Sequence, residues 1–250
     1  MSLVRVEELD GVSVVTLDRP RANAFDEELV GDLRQAFREA VGSPAVVLAS
    51  ALPSIFSAGW DLKMLVGFER KAMESFLEAY CDLVREIFVF GAPVVAALPG
   101  HAIAGGLIVA TAADERIAAE GRGQLGLSEV LLGVPVPHCL LELFRHVVGA
   151  RGMERLAATG ENLSVEQALA AGLVDRVVLP EDLLQRAVER AALLAKLPAS
   201  AHAAIKRRAR AAALARFDQA RERDPFLDVW FTPDAQERIA ALAAKLSTPR

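Results

Sequence analysis

Residues 93–119 read PVVAALPGHAIAGGLIVATAADERIAA. Pro93 to Leu98 is apolar on both faces of a would-be strand, as a strand covered by helices is. Glycines at 100, 105 and 106 punctuate the stretch that follows, and Leu107 to Ala112 then reads as an apolar helix. Glycines at a helix start leave amide N–H groups exposed, and the helix dipole favours negative charge there. The same glycines would equally serve tight helix packing. The stretch is neither a GxGxxG dinucleotide fingerprint nor a P-loop, since no Lys-Ser or Lys-Thr pair follows the glycines.

The same alternation extends outward. Val12 to Leu17 is a β-branched run after the turn pair Asp10-Gly11. Asp26 is a candidate N-cap for a helix that places Leu29, Leu33, Phe37 and Ala40 on one face. Ala45 to Ala49 is a second buried strand, and Ala72 to Phe90 a helix with Phe76, Leu83, Ile87 and Phe90 near one stripe. Past Gly149 strand signals nearly vanish, apart from Leu173 to Leu179. Ser164-x-x-Gln167 forms a capping box, and Gly172 stands where a helix-terminating glycine belongs. Glu181 to Leu197 (stopped by Pro198), Ser200 to Phe217 and Pro233 to Lys245 read as helices. The expectation is an α/β core to about residue 180 and a helical remainder.

Composition narrows the function classes. The chain has 250 residues, 53% hydrophobic and 24% charged, which excludes a disordered or collagen-like chain. Its net charge of -5 argues against nucleic acid as a partner. Cys81 and Cys139 belong to no CxxC or Cys/His cluster, so no metal site is expected. The N-terminus turns acidic by Glu7 and lacks a signal peptide's basic and apolar regions. The long apolar stretch Ala102 to Ala113 falls short of the ~20 residues of a membrane span. A soluble, cytoplasmic protein with no membrane partner is expected.

Two further segments could carry chemistry. In IFSAGWDLK (55–63), Ser57, Ala58 and Gly59 would let a ligand approach the backbone closely. The alternative is an ordinary strand-to-helix turn with Asp61 as a cap. In QLGLSEVLLG (124–133), Glu129 stands among Leu127, Val130, Leu131 and Leu132. An apolar setting raises a carboxyl's pKa and makes it a proton carrier near neutrality. The alternative is an acidic residue opening a helix whose hydrophobes face the core.

Taken together, these segments resemble the crotonase (enoyl-CoA hydratase/isomerase) superfamily. FSAGWDLK (56–63) is similar to its FxAGxDL segment, and GHAIAGGLIVATAADERIA (100–118) to NGxAxGGGxxLAxxCDxRIA. GLSEVLLGVPVP (126–137) is similar to GxxExxLGxxP, and residues 156–178 to the run ending GLVxxVV. The resemblance implies a spiral of β-β-α turns over residues 1–195. It also implies a helical trimerisation region over 196–250, with association as a homotrimer or a dimer of trimers. The substrate would be an acyl-CoA thioester, with no separate cofactor because coenzyme A is part of the substrate. The backbone N–H groups of Trp60 and Gly105 would form an oxyanion hole for a thioester enolate. Ala104 replaces the first glycine of the family's triplet, and Trp60 is bulkier than the family's usual residue.

Hydratases of the superfamily use two glutamates. Glu129 matches the second, but Ile108 occupies the position of the first, and no ionisable group lies between Gly105 and Asp114. The motif pattern is therefore closest to the Δ3,Δ2-enoyl-CoA isomerases, in which one glutamate shuttles a proton. Other one-carboxylate readings are an acyl-CoA decarboxylase, a weak hydratase or a catalytically decayed acyl-CoA-binding protein. Binding positions implied by the motifs are Arg21 and Ala22 in RPRANAF, then Ala58, Gly59, Asp61, Leu62 and Lys63, with Phe231 and Lys245 from the C-terminal part, across a subunit boundary. Lys206, Arg207, Arg208 and Arg210 read as a solvated helix face, His101 and His138 as structural, and Asp114 with Arg116 as a buried or interface pair.

Overall fold

Asp10 and Gly11 both adopt positive φ (49° and 78°) and turn Val4–Leu9 (β1) back onto Val12–Leu17 (β2). The computed structural model describes residues 2–222 and 224–247. Glu27–Glu39 (α1) begins at Asp26, whose carboxylate accepts the Leu29 N–H at 2.9 Å, and buries Leu29, Leu33 and Phe37. The chain then runs through Val46–Ser50 (β3), Ile55–Ser57 (β4), Leu62–Leu65 (α2) and Arg70–Phe88 (α3). Next come Val94–Leu98 (β5), His101–Ile103 (β6), Gly105–Ala112 (α4), Glu115–Ala119 (β7) and Gln124–Gly126 (β8). A 3-10 turn over Glu129–Leu132 leads to His138–Thr159 (α5), which breaks at Gly149. Asn162–Ser164 (β9), Val165–Ala170 (α6) and Arg176–Val178 (β10) follow. Four helices end the chain: Leu183–Ala195 (α7), Ala199–Arg221 (α8), Phe226–Trp230 (α9) and Pro233–Ser247 (α10).

Two sheets result. One has the order β1-β2-β3-β5-β7-β10 and is parallel from β2 onward; the other has the order β4-β6-β8-β9. Successive pairs β3/β4, β5/β6 and β7/β8 thus place one strand in each sheet, so the chain advances as a spiral of β-β-α turns. The central strands of the larger sheet are buried on both faces, whereas edge strand β1 is largely exposed. Val15, Leu48 and Ala96 face the main core, while Val14, Val47 and Val95 meet Leu183, Ala187, Val188 and Ala191 of α7. That double cover explains the unbroken apolar runs in β3 and β5. No described helix is long and apolar enough to cross a membrane.

The structure corrects the reading of the basic run. Arg207 and Arg208 are exposed, but Lys206 and Arg210 are buried. Both grip Asp114, at 2.7 and 2.9 Å. Arg210 also donates to the carbonyls of Phe88, Ala112 and Ala113, and its guanidinium stacks 4.2 Å from the Phe88 ring. It thereby satisfies carbonyls at the C-terminal end of α4, which an apolar helix cannot satisfy for itself. Asp114 and Arg116 make no direct ion pair with each other, although the Asp114 charge acts on Arg116. Arg116 instead bonds Asp175 at 2.7 Å across to the segment before β10. Burial pushes the Lys206 and Arg210 pKa values down, and Asp114 opposes that.

The capping box at Ser164 and Gln167 is present, and Gly172 takes φ +70° just beyond α6. Helix α4 begins at Gly105 rather than Leu107, because an apolar pattern does not register glycines as helix.

Candidate active site

Asn23 is fully buried at the hinge of the site, with φ 46°. Its Oδ1 accepts the Arg19 N–H, and its Nδ2 donates to Ser50 Oγ (2.8 Å) and the Phe56 carbonyl (3.0 Å). Ser57 Oγ donates to the Asn23 carbonyl. These bonds fix the loop 19–25 against β4. The Phe25 N–H then donates to the Gly59 carbonyl (2.7 Å), and the Asp61 N–H to the Phe25 carbonyl (2.8 Å). Segment 58–61 is held on one side only, and the Trp60 N–H has no acceptor among the described residues. The Gly105 N–H, in the first turn of α4, has none either.

Glycine brings these two amides together. Gly59 has φ +91°, and a Cβ on it would lie 3.0 Å from the Ile103 carbonyl and 3.2 Å from the Gly105 nitrogen. A Cβ on Gly105 would lie 2.9 Å from the Trp60 ring and from Tyr80 Oη, and one on Gly106 would lie 2.5 Å from the Ser57 carbonyl. Tyr80 Oη donates to the Gly105 carbonyl at 2.5 Å. The glycines therefore serve close packing and free amides at once.

Ala104, at the position of the triplet's first glycine, takes φ 51°, ψ -128° as the N-cap of α4. A Cβ is strained there, at a cost of about 1–3 kcal/mol, against about 0.5–1 kcal/mol for glycine's extra unfolded freedom. Ala104→Gly is expected to stabilise the protein by about 1 kcal/mol in urea unfolding.

A cavity of about 620 Å³ opens beside these amides. Arg21, Ala22, Ala58, Trp60, Asp61, Leu62, Lys63, Gly105, Ile108 and Glu129 all line it. Glu129 opens the 3-10 turn, with carboxyl Oε2 withdrawn from solvent and without a hydrogen-bond partner. Loss of hydration pushes its pKa up to about 7, with only its own backbone N–H pulling the other way. Its neighbours on the cavity wall include Ile103, Leu132, Val134 and Leu140, and Ile108 is 1% exposed. The other lining acids among the described residues are Asp26 and Asp61, both bound to Arg19 at 2.7 Å, and Glu28, which is exposed to solvent. Asp61 also caps α2 by accepting the Lys63 N–H, so it is both a cap and a wall residue.

Three predicted positions lie off the wall. Gly59 is packed behind it. Phe231 sits 5.5 Å from the Arg70 guanidinium, and Lys245 is exposed on α10. Phe231 and Lys245 were expected to act across a subunit boundary, on another protomer's cavity; to its own cavity the C-terminal part contributes Phe226, Trp230, Leu242 and Leu246. Phe226 with Trp230 and Leu242 with Leu246 each have the four-residue spacing of one helix face, but that spacing does not say that the face meets a cavity. His101 and His138 do not line the cavity.

The model of the enoyl-CoA hydratase/isomerase family matches residues 7–238. The chain belongs to this family. Curated relatives of this crotonase include the carnitinyl-CoA dehydratase of Salmonella arizonae, 35% identical over 77% of this chain and 74% of the relative. Among solved structures, the human mitochondrial delta3-delta2-enoyl-CoA isomerase superposes with a TM-score of 0.90 at 26% identity, covering 98% of both chains. An enoyl-CoA hydratase from Mycobacterium ulcerans superposes at 0.83 with 31% identity, over 87% of this chain and 96% of the other. The crotonase fold and an enoyl-CoA hydratase/isomerase type of activity are thereby established, and the family's acyl-CoA thioesters are the ligands to fit to the cavity.

Proposed function

We propose that this crotonase shifts the double bond of a 3-enoyl-CoA to give the trans-2-enoyl-CoA. The observation that carries the proposal is Glu129, the one lining acid among the described residues whose carboxyl is both buried and unpartnered, in a wall that also holds the apolar Ile108. The Glu129 carboxylate takes a proton from C2, and the C–H electron pair moves onto the thioester oxygen. The resulting dienolate collapses, C4 takes the proton back from the Glu129 carboxyl, and the C3–C4 double bond becomes C2–C3. The Trp60 and Gly105 N–H groups serve as the oxyanion hole. Each preorganised donor of this kind is worth about 3 kcal/mol of transition-state stabilisation. An apolar Ile108 cannot hold a second water, which suppresses addition across the new double bond. Arg21 and Lys63, on the wall, suit the phosphates of coenzyme A.

A second reading comes from the relatives. A dehydratase would eliminate water from a 3-hydroxyacyl-CoA, and the Salmonella enzyme bears that name. The two readings part on one assay. Wild-type enzyme given a 3-enoyl-CoA is expected to form the 2-enoyl-CoA faster than it hydrates an added 2-enoyl-CoA of the same length. Faster hydration would overturn the isomerase. Because the base must be ionised and its pKa is about 7, kcat/KM is expected to rise with pH and level off above that value. A profile flat from pH 5 to 9 would exclude Glu129 as the base.

A further inference from the structure

Trp60 lines the cavity, and its ring is packed among other aromatic side chains. Phe76 and Tyr80 are fully buried, outside the lining, with ring centroids 5.2 and 5.3 Å from that of Trp60. Phe226 and Trp230, on the lining, sit 5.7 and 6.1 Å from it. Four aromatic rings thus meet on Trp60 at steep angles, edge to face for three of them. Trp60 separates the open cavity from the buried Phe76 and Tyr80 rings, while Phe226 and Trp230 share the wall with it. The ring also lies directly against Gly105, within 2.9 Å of where a Cβ would stand. It therefore flanks both free amides.

We propose that Trp60 sets the upper length of the acyl group, so that this enzyme takes short-chain acyl-CoA thioesters. The proposal rests on the reading of the cavity as an acyl-CoA site with its thioester oxygen on the Trp60 and Gly105 amides. A thioester held there has the indole of the same residue beside its acyl chain. A short chain lies along the ring. A longer one must displace a side chain packed against four others, in an interior close to crystal density. Removal of the ring would leave an apolar compartment walled by Phe76, Tyr80, Phe226 and Trp230, able to take methylenes out of water.

The test is calorimetric binding of saturated butanoyl-, octanoyl- and dodecanoyl-CoA to wild type, Trp60→Ala and Trp60→Phe. In wild type, affinity is expected to stay level or fall beyond butanoyl. In Trp60→Ala it should rise about fourfold per added methylene, the burial increment of a CH₂, hence about 250-fold from butanoyl to octanoyl. Trp60→Phe keeps an aromatic contact and is expected to fall between, so the test survives a poorly folded alanine variant. A steep rise with length in wild type would overturn the proposal. So would a length profile unchanged in whichever of the two variants folds, which would mean that the chain runs along Leu132 and Leu140 instead. Saturated thioesters cannot isomerise, so the profile stands even if the 3-enoyl assay fails. An enzyme that isomerises with no length preference would sink this inference and leave the isomerase intact.

Discussion

Glu129→Gln is expected to lose isomerisation by about 10³-fold or more while keeping its affinity for saturated acyl-CoA. General acid–base groups contribute about 10²–10⁴-fold each, and here one carboxyl both removes and returns the proton. The same variant carries a second, opposite signature. Glu129 titrates at about 7 in the fold against 4.5 for an ordinary glutamate. The folded state therefore holds a proton that the unfolded chain releases, and this stabilising contribution is complete below about pH 4.5. It is lost as pH rises through 7, a difference of about 3 kcal/mol. A glutamine never ionises, so Glu129→Gln should equal wild type in stability near pH 4.5 and exceed it by about 3 kcal/mol at pH 8. Urea unfolding at the two pH values, beside the 3-enoyl-CoA assay, checks both halves. Retained turnover would place the base elsewhere. Equal stability at pH 8 would mean a hydrated carboxyl.

Arg210→Met should destabilise the protein by about 3–5 kcal/mol, the usual cost of removing one partner from a buried ion pair. The substitution leaves Asp114 with only Lys206 and the Val94 N–H, and removes a donor from the carbonyls of Phe88, Ala112 and Ala113, of which Ala113 keeps Arg116. Arg207→Ala and Arg208→Ala, on the exposed side of the same helix, should each stay within about 0.5 kcal/mol of wild type. Denaturant midpoints of the three variants measure the contrast. Similar small losses for all three would show that the buried pairing contributes little to stability.

That contrast shows where sequence reading ends. Signals confined to a few neighbouring residues were legible: the Asp26 cap, the Ser164–Gln167 box, the Gly172 terminator and the apolar runs of β3 and β5. The pairing of Lys206 and Arg210 with Asp114 was not, because the partner lies more than ninety positions away. The four-residue spacing put both cations on one helix face, but solvated faces show the same spacing. Strands β4, β6, β8 and β9 span three residues each, too few to display a period of two. At the site, the residues proposed to act through their backbone, Trp60 and Gly105, were picked out by motif. The apolar side chains that the C-terminal part adds to the wall, Phe226, Trp230, Leu242 and Leu246, carry no motif, since any large apolar group in the right place can serve there.

Those four side chains come from the last quarter of the chain, nearly a hundred positions or more beyond Glu129. A protein nicked or shortened ahead of Phe226 would keep each recognisable motif and still be a poorer catalyst. It would lose part of the cavity's apolar wall, and the space facing Glu129 would open further to water. The enclosure of that space is thus completed by the far end of the chain.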